Sequence, residues 1–108
     1  MTPDNAIAIL DRALARNGQT VSLRRGNSAA GEQVMQAFVR GVTADEVVGT
    51  ITQSHKKVTI SPSGLQGADL PAVGARVVVD GVPRAIEIAP EVIRMNDVVV
   101  RINILVKG

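Results

Sequence analysis

The chain has 108 residues, a formal net charge of +2 and 45% hydrophobic residues, with 12 Lys and Arg against 10 Asp and Glu. This length accommodates a single domain, and the balance of apolar and charged residues is that of a folded globular protein. The absence of cysteine and the single histidine exclude disulfides, a thiol nucleophile and a site built from several histidines. No apolar run is long enough for a transmembrane helix, and no basic segment leads into an apolar N-terminal run. Neither a membrane span nor a signal peptide is therefore expected.

The first predicted element is an amphipathic helix over about Pro3–Asn17. Thr2 is suited to the N-cap, and Pro3 to the first turn, where a missing N–H costs nothing. Asn17-Gly18 predicts a left-handed stop at the other end. The apolar face consists of Ile7, Leu10 and Leu14, extended by Ala6, Ala13 and Ile9. A helix with one such face has to pack against the rest of the fold.

After Gly18 the apolar residues alternate along the chain, which predicts β-strands. Strands are expected over residues 20–25, 33–43, 76–79, 82–88 and 98–106, with two more around a polar tip within 47–61. Residues 26–32 are expected to be a loop, because they are small and polar with two glycines. Residues 61–71, with two prolines and two glycines, are expected to be a connector. Ile93 and Met95 are expected to pack in the loop before the last strand.

Asp80-Gly81 predicts a type I′ hairpin turn. The resulting register pairs Val79 with Val82, Val77 with Arg84, and Ala75 with Ile86. The predicted core face of the hairpin consists of Val77, Val79, Val82, Ile86 and Ile88, and Arg84 is the one charged residue on it. On the other face, Arg76 would lie diagonally near Glu87. In the last strand, the predicted core face consists of Val98, Val100, Ile102, Ile104 and Val106.

One helix followed by sequential strands predicts a mainly β fold. The expected architecture is a small antiparallel β-barrel or sandwich of six to seven strands with one N-terminal α-helix. The whole chain, 1–108, forms one domain in this interpretation, with the helix over 1–17 and the barrel over 18–108. The helix is expected to cover an open end or one side of the barrel.

Catalytic chemistry finds no support in the sequence. His55 has Ser54 beside it, but a serine nucleophile needs a positioned base and an oxyanion hole. The carboxylates are scattered, and the glycines do not have the spacing of a phosphate-binding loop. We therefore expect no enzymatic activity, no catalytic residues, no metal and no cofactor.

Basic residues at or beside loops give the one functional indication. The candidate partner-binding residues are Arg24, Arg25, His55, Lys56 and Lys57. Neither Arg24-Arg25 nor His55-Lys56-Lys57 has an acidic neighbour in sequence. His55 is expected to be exposed in a loop. Solvated loop charges, a polar protein interface and nucleic-acid contact all remain open for them. As a protein contact, the loop from Thr43 to Lys57 would be mobile in the isolated chain and ordered in the assembly.

Three segments together resemble a known family. Residues 17–25 follow an amphipathic helix, residues 53–61 run from a polar loop into a strand, and residues 70–82 carry a Pro-x-x-Gly-x-x-Val-x-x-Asp-Gly run at 71–81. This order is similar to the small head–tail joining, or head-completion, proteins of long-tailed phages and prophages, the lambda type in particular. Alanine at 75 replaces an aspartate that is frequent in the family, and an aromatic residue near position 84 or in the last strand is absent.

The resemblance implies a non-enzymatic assembly protein located in the virion neck and assembled in the bacterial cytoplasm. Its partners would be the portal or connector proteins of the head and the proteins of the tail. It would form a homo-oligomeric ring when assembled, with DNA contact secondary and no membrane contact. The isolated chain could be a monomer. The alternative is an OB-like β-barrel that binds nucleic acid, although Phe38 is the only aromatic residue available for base stacking.

Overall fold

The computed structural model describes residues 2–25, 32–42, 55–65 and 70–107. The elements are α1 (Pro3–Asn17), β1 (Gln19–Arg24), β2 (Gln33–Gly41), β3 (Lys56–Ile60), a 3₁₀-helix (Pro62–Leu65), β4 (Arg76–Val79), β5 (Val82–Ala85), β6 (Glu91–Met95) and β7 (Val98–Val106). The mainly β fold with one N-terminal helix is confirmed. The predictions for the loop at 26–31 and for residues 43–54, including a strand from Val47 and the mobility of that loop, lie outside the described residues. No helix in the described part is long and apolar enough to cross a membrane.

Helix α1 begins as the sequence predicts and ends differently. The Asn5 N–H donates to the Thr2 side-chain oxygen at 3.2 Å, which is the expected N-cap. At the other end, the predicted left-handed stop is wrong, because Gly18 is extended with φ −79°. The reason for glycine here is space: a Cβ on Gly18 would lie 2.5 Å from the Leu14 carbonyl oxygen and 3.0 Å from that of Ala37. The chain therefore continues from α1 directly into β1, and the backbone of Gly18 lies close to the last turn of the helix.

The seven strands form one antiparallel sheet in the order β5-β4-β1-β2-β3-β7-β6. The sheet curls until the chain after β5 meets β7. Ile86 forms an antiparallel bridge with Val106, and the Lys107 N–H donates to the Ala85 carbonyl at 3.0 Å. These contacts close the sheet into a barrel-like fold, as the sequence predicts.

The interior of the curled sheet is a single apolar core. Its buried members are Val21, Leu23, Met35, Ala37, Val58, Ile60, Leu65, Ala75, Val77, Val79, Ile86, Ile102, Ile104 and Val106. Most are the inward residues of alternating strands, which is why the predicted faces of β1, β4 and the end of β7 are correct.

The hairpin of β4 and β5 has the predicted turn. Asp80 and Gly81 both have positive φ, 53° and 80°, and the register pairs Val79 with Val82 and Val77 with Arg84. The predicted core face is only partly correct, since Val82 is 49% exposed and Ile88 is half-buried. The strand ends at Ala85 rather than Ile88. Ile86 still exchanges backbone hydrogen bonds with Gly74 and Ala75, in agreement with the predicted pairing of Ala75 and Ile86, and it also bridges Val106 of β7.

The segment before the last strand is an edge strand, not a loop. Asn96 and Asp97 have φ of 51° and 63° and make a second tight turn, so Ile93 and Met95 lie in β6. Asn and Asp tolerate this left-handed backbone, which is the signal the sequence interpretation missed. The Ile93 side chain remains partly exposed on this edge.

A bulge in this hairpin changes which residues of β7 face the core. Ile93 pairs with Arg101 but Arg94 pairs with Val99, so Val100 has no opposite residue. One extra residue reverses the alternation. Accordingly Val99 packs against the core and the predicted core residue Val98 is exposed, whereas Val100 is buried, as predicted.

Val100, the unpaired residue of the bulge, lies on the surface against which helix α1 packs. Helix α1 lies against β2, β7 and the 3₁₀-helix. Leu10 and Ala6 line a small cleft together with Val100, and the Ser63 hydroxyl donates to the Asp11 carboxylate at 2.8 Å. The prediction that the helix packs on the barrel is confirmed.

Replacing Leu10 by alanine tests this packing. Leu10 is 4% exposed and its neighbour Ile9 is 46% exposed. We expect Leu10→Ala to lower the free energy of unfolding by about 2–5 kcal/mol and Ile9→Ala by less than about 1 kcal/mol, measured by urea denaturation. Equal effects of the two substitutions would contradict a packed helix.

Gly81→Val tests the hairpin turn. A Cβ at Gly81 or at Gly41 would meet nothing within 4 Å, but only Gly81 has a positive φ, +80°. Gly81→Val should therefore cost more than about 1 kcal/mol of stability through backbone strain alone, while Gly41→Val in β2 should be neutral or stabilising. A Gly81 variant as stable as the Gly41 variant would refute the turn.

Candidate functional site

The two predicted arginines at the end of β1 have structural partners. The Arg24 Nε lies 3.4 Å from a carboxylate oxygen of Glu32, with both side chains mostly shielded from solvent. Arg25 donates to the Gln33 side-chain oxygen at 3.2 Å and to the Leu70 carbonyl at 3.5 Å. Arg24 has no acidic neighbour in sequence, but the fold brings the carboxylate of Glu32 to it. These contacts tie the end of β1 to the start of β2 and to the segment before β4.

His55, Lys56 and Lys57 lie at the entry to β3. Lys56 already pairs with Gly41 on one side and with Val106 on the other. His55 directly precedes this paired position and is only 6% exposed. The expectation of an exposed loop histidine is therefore wrong, since the chain is already between two strands here. Lys56 and Lys57 are half-buried strand residues.

The structure does not bring the two predicted groups together. Arg24 lies beside the start of β2, where Leu23 pairs with Gln33, whereas Lys57 pairs with Arg40 near the end of β2. At about 3.3 Å per residue, the two ends of this strand are separated by roughly 25 Å. One contact surface containing all five predicted residues is not formed.

A basic cleft that the sequence interpretation missed lies beside β5. We call it the Arg84 cleft; its lining residues are Arg76, Val82, Pro83, Arg84, Ala85 and Lys107. Its volume is about 430 Å³. Three of these residues are cationic and none is a carboxylate. The available signal was Arg84 itself, the one charged position on the predicted core face of the hairpin.

Arg84 connects β5 to the residue that follows β7. Its Nη1 donates to the Lys107 carbonyl at 3.4 Å, and its Nε is buried without a hydrogen-bond partner among the described residues. The expected contact between Arg76 and Glu87 is not formed. Glu87 instead lies 3.8 Å from the Lys107 Nζ, in a pair exposed to solvent.

A second cleft, of about 500 Å³, lies along the end of α1 and the strands β2, β3 and β7. It contains the only aromatic residue, Phe38, together with Arg40, Thr59 and Arg101. Arg40 donates to the Gly41 carbonyl at 2.9 Å. This cleft combines a single ring with two guanidinium groups.

Acidic side chains do not gather into a site within the part of the chain that the structure describes. No group of three or more His, Asp or Glu side chains is placed there to hold a metal ion. Glu91 accepts a hydrogen bond from Asn103 at 2.8 Å, and Asn103 accepts one from Thr59 at 2.8 Å. This chain of hydrogen bonds crosses β6, β7 and β3 and joins the strands.

Exposed apolar side chains occur at both ends of the strand order. Val82 lies on β5, whereas Ile93 and Val98 lie on the β6–β7 hairpin and Ile9 on the adjoining helix. Ile93 lines the cleft that also contains Ala6 of the helix. Among the described residues, uncovered apolar groups therefore lie on the surface at β5 and on the surface of α1 with the β6–β7 hairpin, and Val34 in β2 and Val73 before β4 are exposed as well.

Substitutions at the entry to β3 test whether this segment is structural. His55→Ala should lower the free energy of unfolding by about 1–3 kcal/mol because the side chain is buried, whereas Lys56→Gln should change it by less than about 0.5 kcal/mol. Thermal or urea denaturation of the two variants gives the comparison. A His55 variant as stable as the parent chain would restore this residue as a candidate surface contact.

No protein-family model, curated protein or solved structure matches the chain. The function is therefore inferred from the surfaces described above and from the sequence pattern of residues 17–25, 53–61 and 70–82.

Proposed function

We propose that this chain is a non-enzymatic structural protein of a phage or prophage neck. It forms a ring and joins the portal side of a DNA-filled head to the tail. Its partners are the portal or connector proteins, the tail proteins and further copies of itself. It acts in the virion neck after assembly in the bacterial cytoplasm.

The observation that carries this proposal is that the described part of this small barrel has uncovered surfaces of different character, at β5 and on α1 with the β6–β7 hairpin. A ring built from identical subunits needs two unlike patches on each subunit, because the contact runs head to tail. The surface at β5 has exposed apolar residues beside three cations. The surface of α1 and the β6–β7 hairpin has exposed apolar residues beside both Glu91 and Arg94.

The segment that carries the resemblance supports the proposal in a second way. Pro71 is buried at the start of the run, and its last two residues, Asp80 and Gly81, form the tight turn of the β4–β5 hairpin. The run therefore builds the hairpin that presents Val82 and Arg84. The run that carries the resemblance therefore helps to form the uncovered surface at β5.

The alternative, an OB-like barrel that binds nucleic acid, is supported by the second cleft. Phe38 could stack one base there, with Arg40 and Arg101 beside a phosphate. A single ring is a small stacking platform, because nonspecific single-strand binding usually uses successive aromatic residues. The neck assignment therefore remains the preferred function.

Deletion of the gene in a phage or inducible prophage that carries it tests the proposal. We expect lysates to contain DNA-filled heads and separate tails by electron microscopy, with infectious particles reduced by about three orders of magnitude or more. Supplying the intact chain from a plasmid should restore joined virions, which is the control for effects on neighbouring genes.

Normal virions after deletion would overturn the neck assignment. If the purified chain then also bound single-stranded DNA cellulose at ~150 mM salt in a salt-sensitive manner, the nucleic-acid alternative would replace it.

A further inference from the structure

The Arg84 cleft combines positive charge with exposed apolar surface. Among the described residues, Arg76 forms no ion pair, and Lys107 forms only the solvent-exposed one with Glu87. Solvent screens such an exposed pair, so Glu87 neutralises little of the charge of the cleft. A bound anion would therefore meet three cations without displacing a buried carboxylate.

Of the three cations, Arg84 is the one with a buried N–H that has no acceptor among the described residues. Its Nη1 donates at 3.4 Å to the Lys107 carbonyl, a long contact, and its Nε has no acceptor among the described residues. The guanidinium group thus has one long hydrogen bond among the described residues, and an oxyanion is the acceptor that such a group binds best. The cleft is consequently suited to carboxylate or phosphate oxygens.

The apolar part of the cleft distinguishes between a protein, which supplies carboxylates, and a nucleic acid, which supplies phosphates. Val82 is 49% exposed at the cleft and Pro83 is also exposed. A phosphate backbone would leave both uncovered, and no aromatic residue lines the cleft to stack a base. A protein segment that carries both carboxylates and apolar side chains would cover the whole surface.

The backbone of β5 also restricts how such a segment can bind. Val79 and Val82 flank a two-residue turn and face each other across the hairpin, so the next residue, Pro83, directs its backbone nitrogen away from β4. Proline has no N–H to donate to an added strand. A partner therefore contacts the side chains of the cleft and does not extend the sheet.

We propose that the Arg84 cleft is a docking site for an acidic, partly apolar segment of a partner protein. Carboxylates of the segment bind Arg76, Arg84 and Lys107, and an apolar side chain of the segment packs on Val82 and Pro83. This inference does not rest on the neck assignment, because the cleft selects the same chemistry in any assembly.

The test is an NMR titration of the full-length ¹⁵N-labelled chain with the peptide acetyl-Leu-Asp-Glu-Leu-Asp-Glu-Leu-amide. The signals to follow are the Arg84 Nε–H and the backbone amides of Val82, Ala85 and Lys107. We expect saturable shifts that are confined to the cleft. The same peptide with Asn and Gln in place of Asp and Glu should produce none.

Two matched variants separate the cleft from general attraction by positive charge. The double variant Arg76→Gln/Lys107→Gln should weaken peptide binding by about tenfold. Arg12→Gln/Arg16→Gln removes the same two charges from exposed positions of α1 and should leave the affinity within about twofold. Folding of each variant is verified from the dispersion of its amide spectrum.

Three outcomes would overturn the proposal. The first is an equal loss of affinity in both double variants, which would indicate nonspecific attraction. The second is the absence of peptide shifts in the cleft up to millimolar concentration. The third is tighter binding of a short DNA duplex at the same residues, which would make the cleft a nucleic-acid site.

Discussion

The contact that closes the sheet determines the rest of the molecule. Ile86 is fully buried, bridges Val106 of β7, and exchanges backbone hydrogen bonds of 3.0–3.1 Å with Ala75 and Gly74. A curled sheet without this contact would leave its core open at one side, and the apolar faces of β4 and β7 would meet water. Closure also carries Lys107 to Ala85, since the Lys107 N–H donates to that carbonyl. The Arg84 cleft is therefore a consequence of how the barrel closes.

The fold gives its arginines two different environments. Arg24 and Arg25 are engaged by Glu32, Gln33 and the Leu70 carbonyl, so their charge stabilises the connection between strands. Arg84 has one long hydrogen bond to a carbonyl and a buried Nε without an acceptor. Both Arg24 and Arg84 have a buried Nε without a hydrogen-bond partner among the described residues, but the Arg24 Nε lies 3.4 Å from a carboxylate oxygen of Glu32, whereas Arg84 forms no ion pair with a described residue. An arginine without a carboxylate partner is the better candidate for contact with another molecule.

Local patterns predicted most of the fold, whereas contacts between distant segments determined the candidate sites. Strong alternation and the Asp80-Gly81 pair were sufficient for β1, the β4–β5 register and the core face over Ile102–Val106. The bulge at Val100 was missed because residues 98–100 are all valine, so the apolar pattern does not show which of them face the core. The Asn96-Asp97 turn was missed because the tolerance of Asn and Asp for positive φ was not used. The burial of His55 depends on pairing with β2 and β7, and the Arg84 cleft joins β4 and β5 to the end of β7. Neither relation is visible in a local window of sequence.

The two ends of the described sheet limit how this barrel can associate. Strand β5 presents Pro83, which cannot donate to an added strand, and β6 places the exposed charges of Glu91 and Arg94 at its edge. Both features oppose pairing of strands between copies, which would otherwise lead to uncontrolled aggregation. Association then depends on side-chain surfaces that only a complementary partner covers. For the assembly role proposed above, this protection of both edges favours association through complementary side-chain surfaces over pairing of strands.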